Sequence, residues 1–317
     1  MEDTFRQDIQ HLLLDSRAPA SSDYMALDQL PPEEVEIVRQ VWGQAPLARR
    51  RKVVQALAEL AEESVDVDFG AFFRLALADP DAEVRRWAIE GLWEDEDSRL
   101  VPPLIKLLLH DPAEKVRAAA AQSLARFVFL GEMEYLCRDK TVKLQAALLD
   151  AIRNPAETVE VRRRALEALA YADREEVPGL IAAAYRDANE DMRLSAVFAM
   201  GRSCDPAWTE TAIAELTNPN PAMRFEAARA CGEIEAEPAL PALLQRLEDP
   251  DWQVREMVIW ALGEIGGPAA RRALRRCLRD PDPDICEAAE EALAMLELKE
   301  STSPVPALNR GWLPADE

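Results

Sequence analysis

Apolar residues recur three, four and seven positions after a series of arginines, the spacing of one buried helix face. After Arg85 they are Ala88, Ile89 and Leu92; after Arg117, Ala120, Ala121 and Leu124; after Arg255, Val258, Ile259 and Leu262. Ahead of these lie shorter apolar runs, such as 102–109 (PPLIKLLL) and 241–248 (PALLQRLE). They carry leucines at helical spacing and open on proline, which a helix tolerates in its first turn. The pattern predicts helix pairs rather than strands.

The pairs repeat. Val84-Arg85, Val116-Arg117, Val161-Arg162, Met192-Arg193, Met223-Arg224, Val254-Arg255 and Ile285-Cys286 share one register, at spacings of 32, 45, 31, 31, 31 and 31 residues. Six residues before the second member of each pair stand Asp79, Asp111, Ala156, Asp187, Asn218, Asp249 and Asp280. An earlier, degenerate copy puts Gln44 and Arg50 in these positions, which makes eight copies. The Asp is expected to cap the second helix, with the following Pro at its first position. The Arg is expected to reach the Asp of its own or a neighbouring copy. That ladder comprises Asp79, Arg85, Asp111, Arg117, Asp187, Arg193, Asn218, Arg224, Asp249 and Arg255, a scaffold rather than a catalytic site. Gly201, Gly232 and Gly263 follow their arginines by eight residues and are read as marking helix ends. One pair cannot bury its own apolar face, but stacked pairs can, so the predicted fold is an all-α solenoid.

The pattern DPDxxVRxxAxxALGxIG resembles HEAT repeats, and within them the short bacterial subtype named after phycobilisome lyases. The resemblance covers roughly residues 32–299. It implies a right-handed αα superhelix whose second helices line a concave, partner-binding face. The subtype occurs in adaptors and scaffolds, in bilin lyases and in deoxyhypusine hydroxylase. The last of these holds iron through His-Glu pairs. Here the two histidines, His11 and His110, are followed by Leu and Asp, which disfavours that activity.

The net charge of −22 makes phosphate backbones and anionic lipid poor partners. The five cysteines, Cys137, Cys204, Cys231, Cys277 and Cys286, show no metal-ligand or CxxC spacing and are read as reduced, mostly buried thiols of a cytoplasmic protein. No signal peptide and no transmembrane segment are expected. Phosphate-binding loops, nucleophile elbows and zinc-protease motifs are lacking, so neither a catalytic constellation nor a cofactor is expected. The acidic run 94–97 (EDED) is read as a solvated turn rather than a cation site.

The chain is divided into a short helix and linker at 1–31, repeats at 32–299 and an unfolded tail at 300–317 that carries Trp312. Within the repeats, 32–64 forms the degenerate first pair and 280–299 the C-terminal capping repeat, where Cys286 ends the ladder. The 45-residue spacing places an insertion near 129–140, expected as a loop.

A helical step of about 100° sets positions two, five and nine after each Arg opposite the core. Aromatic and basic residues stand there: Arg126, Arg164, Tyr171, Phe198, Arg202, Arg229 and Trp260, with Trp87 at one end. Tyr, Trp and Arg are enriched at interface hot spots. The expected function is therefore a non-catalytic interaction scaffold or adaptor holding a partner segment, acidic or C-terminal, in a groove of these residues. An accessory or modifying protein of the bilin-lyase kind is the alternative. RNA binding through Arg271, Arg275 and Arg279 ranks last, because those arginines are expected to pair with Glu287, Glu290 and Glu291.

Overall fold

A computed structural model of the chain describes residues 2–15, 17–64 and 66–302. Among them the regular structure is wholly helical, with eighteen α-helices and four short 3-10 turns. Trp312 and most of the C-terminal tail lie outside the described residues. The helices α1 (Glu2–Leu14) and α2 (Ser21–Tyr24) precede eight pairs. These are α3 (Pro32–Trp42) with α4 (Leu47–Glu63), α5 (Gly70–Ala76) with α6 (Ala82–Glu90), α7 (Val101–His110) with α8 (Glu114–Glu132), and α9 (Arg138–Arg153) with α10 (Val159–Leu169). There follow α11 (Glu176–Tyr185) with α12 (Glu190–Arg202), α13 (Thr209–Glu215) with α14 (Pro221–Glu233), α15 (Leu240–Arg246) with α16 (Trp252–Ile265), and α17 (Gly267–Cys277) with α18 (Pro283–Thr302). The chain divides into two compact units, 1–196 and 197–317, the division falling within α12.

In the first unit α4, α6, α8 and α10 pack in succession, and in the second α14, α16 and α18 do. Their apolar stripes are buried as the spacing requires: Ala88, Ile89 and Leu92 in one unit, Val258, Ile259 and Leu262 in the other. The N-terminal α1 buries Ile9, Leu12 and Leu13 against the first pair. Arg49 holds its end by donating to the Leu12 carbonyl at 2.9 Å and the Asp15 carbonyl at 2.5 Å.

The recurring Asp is not the helix cap. The caps stand two residues later, at Asp81, Thr158, Asn220 and Asp251, whose side chains accept from N–H groups of the first turn. The repeat Asp makes the turn before the helix instead. Its Oδ1 accepts from the N–H two residues on, at 2.9 Å for Asp79 and Asp111, 2.8 Å for Asp187 and 3.1 Å for Asp249. The proline after it therefore lies outside the helix, where its fixed φ suits a turn. In the copy before Arg162 this role falls to Asn154 rather than position 156.

Both carboxylate oxygens of the buried rungs also accept from the arginine of the preceding copy. Arg85 forks onto Asp111 of the next copy at 2.7 and 2.8 Å, and Arg224 onto Asp249 at 2.8 and 2.7 Å. Both pairs are buried. Arg117 forks onto Glu157 at 2.9 and 2.8 Å, because the usual slot there holds an amide. At the N-terminal end Asp79 accepts from Trp42 Nε1 at 2.7 Å and pairs with Arg50 at 3.0 Å. Arg255 reaches Asp282 rather than Asp280, at 3.4 Å and partly exposed. Arg193 donates to the Asp187 and Ala188 carbonyls of its own copy.

Two further expectations are refined. The extra residues near 129–140 go mostly into helix rather than loop: α8 and α9 lengthen to 19 and 16 residues, with 133–137 as the turn between them. The sequence 126–132 continues the helical period, burying Phe127 and Val128, so extending a helix costs less order than closing a loop. Gly201, Gly232 and Gly263 do lie near the ends of α12, α14 and α16, but one or two residues inside rather than at the C-cap; positive φ among glycines occurs at Gly266 and Gly267.

Candidate protein-interaction face

In the first unit the outward positions of the second helices carry Trp87, Arg126 and Arg164, and Tyr171 stands in the turn after α10. Trp87 is half-buried beneath the Arg86 guanidinium, 4.3 Å from its ring. Arg126 donates to the Asp95 carbonyl and to Ser123 Oγ, each at 3.0 Å, and lies over the Phe127 ring at 4.7 Å. Burial lowers its guanidinium to about 10, against the opposing pull of Asp95 and Glu96. Arg164 pairs with Glu160 at 3.1 Å and Glu167 at 3.0 Å. Burial lowers its pKa, but Glu167 and Glu160 outweigh that and the guanidinium is raised overall. Tyr171, half-buried, meets Phe129 edge to face at 6.2 Å.

In the second unit Phe198 is half-buried between two arginines, Arg229 at 4.0 Å and Arg202 at 5.3 Å from its ring. Arg202 pairs with Glu233 at 3.0 Å, and Arg229 with Glu226 and, at 3.8 Å, with Glu233. Burial pushes the Glu233 carboxyl up, while Arg202 and Arg229 pull it down. Trp260 is 37% exposed and rests on Gly232, whose added Cβ would lie 2.6 Å from the ring. The aromatic surface is therefore present in each unit, but Arg164, Arg202 and Arg229 have their charge neutralised by carboxylates of their own chain.

Exposed apolar side chains also stand at positions the sequence reading did not single out. Phe129, Met133, Tyr135 and Val142 stand exposed where α8 and α9 lengthen, and Trp252 and Trp93 are about half exposed. The lengthened helices were hidden because the insertion was read as a loop. Near Trp93 a cavity of about 360 Å³ opens among Asp68, Phe69, Arg74, Glu94 and Asp95. Its acidic run is bridged by Arg74, which pairs with Asp95 and, at 3.6 Å, with Asp97. The pairing expected on α17 also differs. Arg271 meets Glu297 at 3.6 Å, because an antiparallel hairpin sets the start of α17 against the end of α18. Among the described residues Arg272, Arg275, Arg276 and Arg279 are exposed and form no ion pair.

Successive helix pairs of this kind, tied by an Arg-to-Asp ladder, define an α-solenoid repeat protein. Residues 71–136 and 209–294 match the sequence model of a family described as HEAT repeats. No curated protein sequence matches the chain. A solved structure of the Kap95:Nup1 complex matches with a TM-score of 0.50 at 15% identity, covering 93% of this chain and 46% of that one. A designed armadillo repeat protein matches at 0.41 and 17% identity, over 62% of this chain and 99% of its own. Human deoxyhypusine hydroxylase matches at 0.37 and 22% identity, over 84% and 96%. Likeness at these identities is one of fold alone.

Proposed function

We propose that the protein is a non-catalytic interaction scaffold that holds a protein segment against the outward faces of its second helices. The observation that carries this reading is the exposed aromatic surface on those faces, Trp260 above all. Apolar surface of this kind on a globular chain marks contact sites. In the second unit the contact residues are Phe198, Arg202, Arg229 and Trp260; in the first they are Arg126, Arg164 and Tyr171, with Phe129 beside Tyr171. Because Arg164, Arg202 and Arg229 are ion-paired, they serve as flat stacking and hydrogen-bonding surfaces rather than as net positive charge. An apolar or aromatic partner segment fits better than an acidic one. The protein works in the cytoplasm and needs no cofactor in this reading. The alternative of a bilin-lyase-like accessory protein rests on the repeat pattern alone, and bound chromophore in purified protein would favour it.

Affinity capture from native lysate with wild type and the Phe198→Asp/Trp260→Asp variant tests the reading. The variant, folded by circular dichroism, is expected to lose a stoichiometric partner that wild type retains. Equal capture by both would rule out this face.

A further inference from the structure

Cys286 occupies the place that Arg85, Arg117, Arg193, Arg224 and Arg255 hold in other copies. Each of those arginines caps, through Nη1, the backbone carbonyl six residues earlier, at 2.7–3.0 Å. Cys286 Sγ keeps that bond, donating to the Asp280 carbonyl at 3.2 Å, and also lies 3.5 Å from the Cys277 carbonyl. A thiol has replaced a long side chain and sits over the last turn of α17.

Cys277 ends α17, nine residues before Cys286. The same offset separates Ala76 from Arg85, Leu108 from Arg117 and Ala184 from Arg193. Those three residues are buried, whereas Arg153, Glu215 and Arg246 at the same offset are exposed or half-buried, and Cys277 itself is half-buried at the end of α17. Burial and the Asp280 carboxylate push the Cys277 thiol up, Arg276 opposes them, and Cys286 is close enough to add to the rise. The other cysteines differ. Cys137 and Cys204 are exposed, and Cys231 is buried with its thiol pushed up to about 12.

We propose that Cys277 and Cys286 close into a reversible disulfide that fastens α17 to α18 when the protein meets a small-molecule disulfide. One cysteine thiolate attacks the S–S bond of the oxidant, releasing one small thiolate and leaving a mixed disulfide on the protein. The second cysteine thiolate attacks that protein sulfur and releases the other small thiolate. The two thiol protons leave to solvent, and the two electrons reside on the oxidant, now two thiols. Disulfide geometry needs the two residues side by side, and the Cys286 Sγ, 3.5 Å from the Cys277 carbonyl oxygen, brings the two residues into contact. The bond would hold the terminal pair at the point where the arginine ladder stops.

The test treats the folded, full-length protein with excess oxidised glutathione, blocks remaining thiols with N-ethylmaleimide and digests with trypsin without reductant. Peptide 277–279 should be found linked to peptide 280–299, and the unblocked protein should lose about 2 Da. Cys277→Ser and Cys286→Ser should each abolish the link, while Cys137→Ser and Cys204→Ser should keep it. The thermal midpoint should rise on oxidation in wild type and stay unchanged in Cys277→Ser. Separate glutathione or maleimide adducts on Cys277 and Cys286 would overturn the proposal. So would a link that forms only in urea.

Discussion

Between residues 197 and 302 the second helices reuse one contact. Gly201 meets Ala230, Gly232 meets Ala261 and Gly263 meets Ala292, each pair 29 residues apart. A Cβ on these glycines would approach the alanine Cα atoms to 2.8, 3.0 and 3.2 Å. In the first unit the matching positions hold Trp93, Ala125 and Ala170, and the arginine spacings include 32 and 45 residues. Packing there relies on bulk. Trp42, Phe72 and Phe73 meet edge to face, and the Phe73 ring fills the space a Gly91 Cβ would take. A constant period lets backbone-to-backbone contact recur; where the period changes, large side chains refill the gap. The ladder survives in both units, because it depends on the turn geometry of one copy and not on the length of the next.

The largest effect that tests this comparison is loss of a buried ladder arginine. Arg224→Ala and Arg85→Ala, one in each unit, should each cost about 3–5 kcal/mol, since each leaves an uncompensated buried carboxylate. Arg255→Ala, whose pair with Asp282 is longer and partly exposed, should cost less than about 1 kcal/mol. Urea unfolding followed by circular dichroism reads all three. Equal losses at Arg224 and Arg255 would mean that burial does not set the strength of a rung.

Acid sharpens the same contrast. Burial raises the Asp249 carboxyl, but bonds from Arg224 and the Asp251 N–H outweigh it, so its pKa falls below the ordinary 3.8. A carboxylate depressed in the folded state stabilises above its unfolded pKa, and that stability is lost as pH falls through the folded value. The stability gap between wild type and Arg224→Ala should therefore be full at neutral pH and narrow below about pH 4. The gap for Arg255→Ala should stay small throughout. A gap for Arg224→Ala that persists unchanged at acid pH would assign the arginine's role to packing of its stem.

Next in size is the glycine seam. Gly232→Ala should cost about 1–3 kcal/mol by overpacking. The Trp260 ring can shift, but the Ala261 Cα at 3.0 Å is backbone and moves only with its helix. A neutral Gly232→Ala would show that the second unit does not depend on close backbone contact.

The repeat was legible because arginine, aspartate and the apolar stripe recur together, and stacking follows from the unpaired face of each copy. The cap was misplaced because Asp79-Pro80-Asp81 holds two carboxylates two residues apart, both plausible caps by residue type. Only the turn shows that the first bonds forward to the second. The glycines were legible as lying near the helix ends; that they pack on the next copy no single-helix pattern reveals. For the candidate face the aromatics were found, but the neutralised charge was missed. Part of that signal was in the sequence: Glu160, Glu167, Glu226 and Glu233 stand three or four residues from Arg164 and Arg229. Glu233 beside Arg202 was not, because those residues come from different helices.

The smallest prediction reverses the sign of the glycine seam. Gly179 lies within α11 of the first unit, and nothing comes within 4 Å of a Cβ built there. Its φ is ordinary for a helix, so alanine adopts the same backbone without strain. Alanine also leaves fewer conformations to lose on folding, which should stabilise Gly179→Ala by about 0.5–1 kcal/mol. The same replacement that harms Gly232 thus helps Gly179, because one glycine is a contact and the other only a weak helix former. Urea midpoints of the two variants, measured side by side, separate the cases. If both variants are destabilised, the first unit also requires a bare backbone on α11, and the contrast between the units does not hold there.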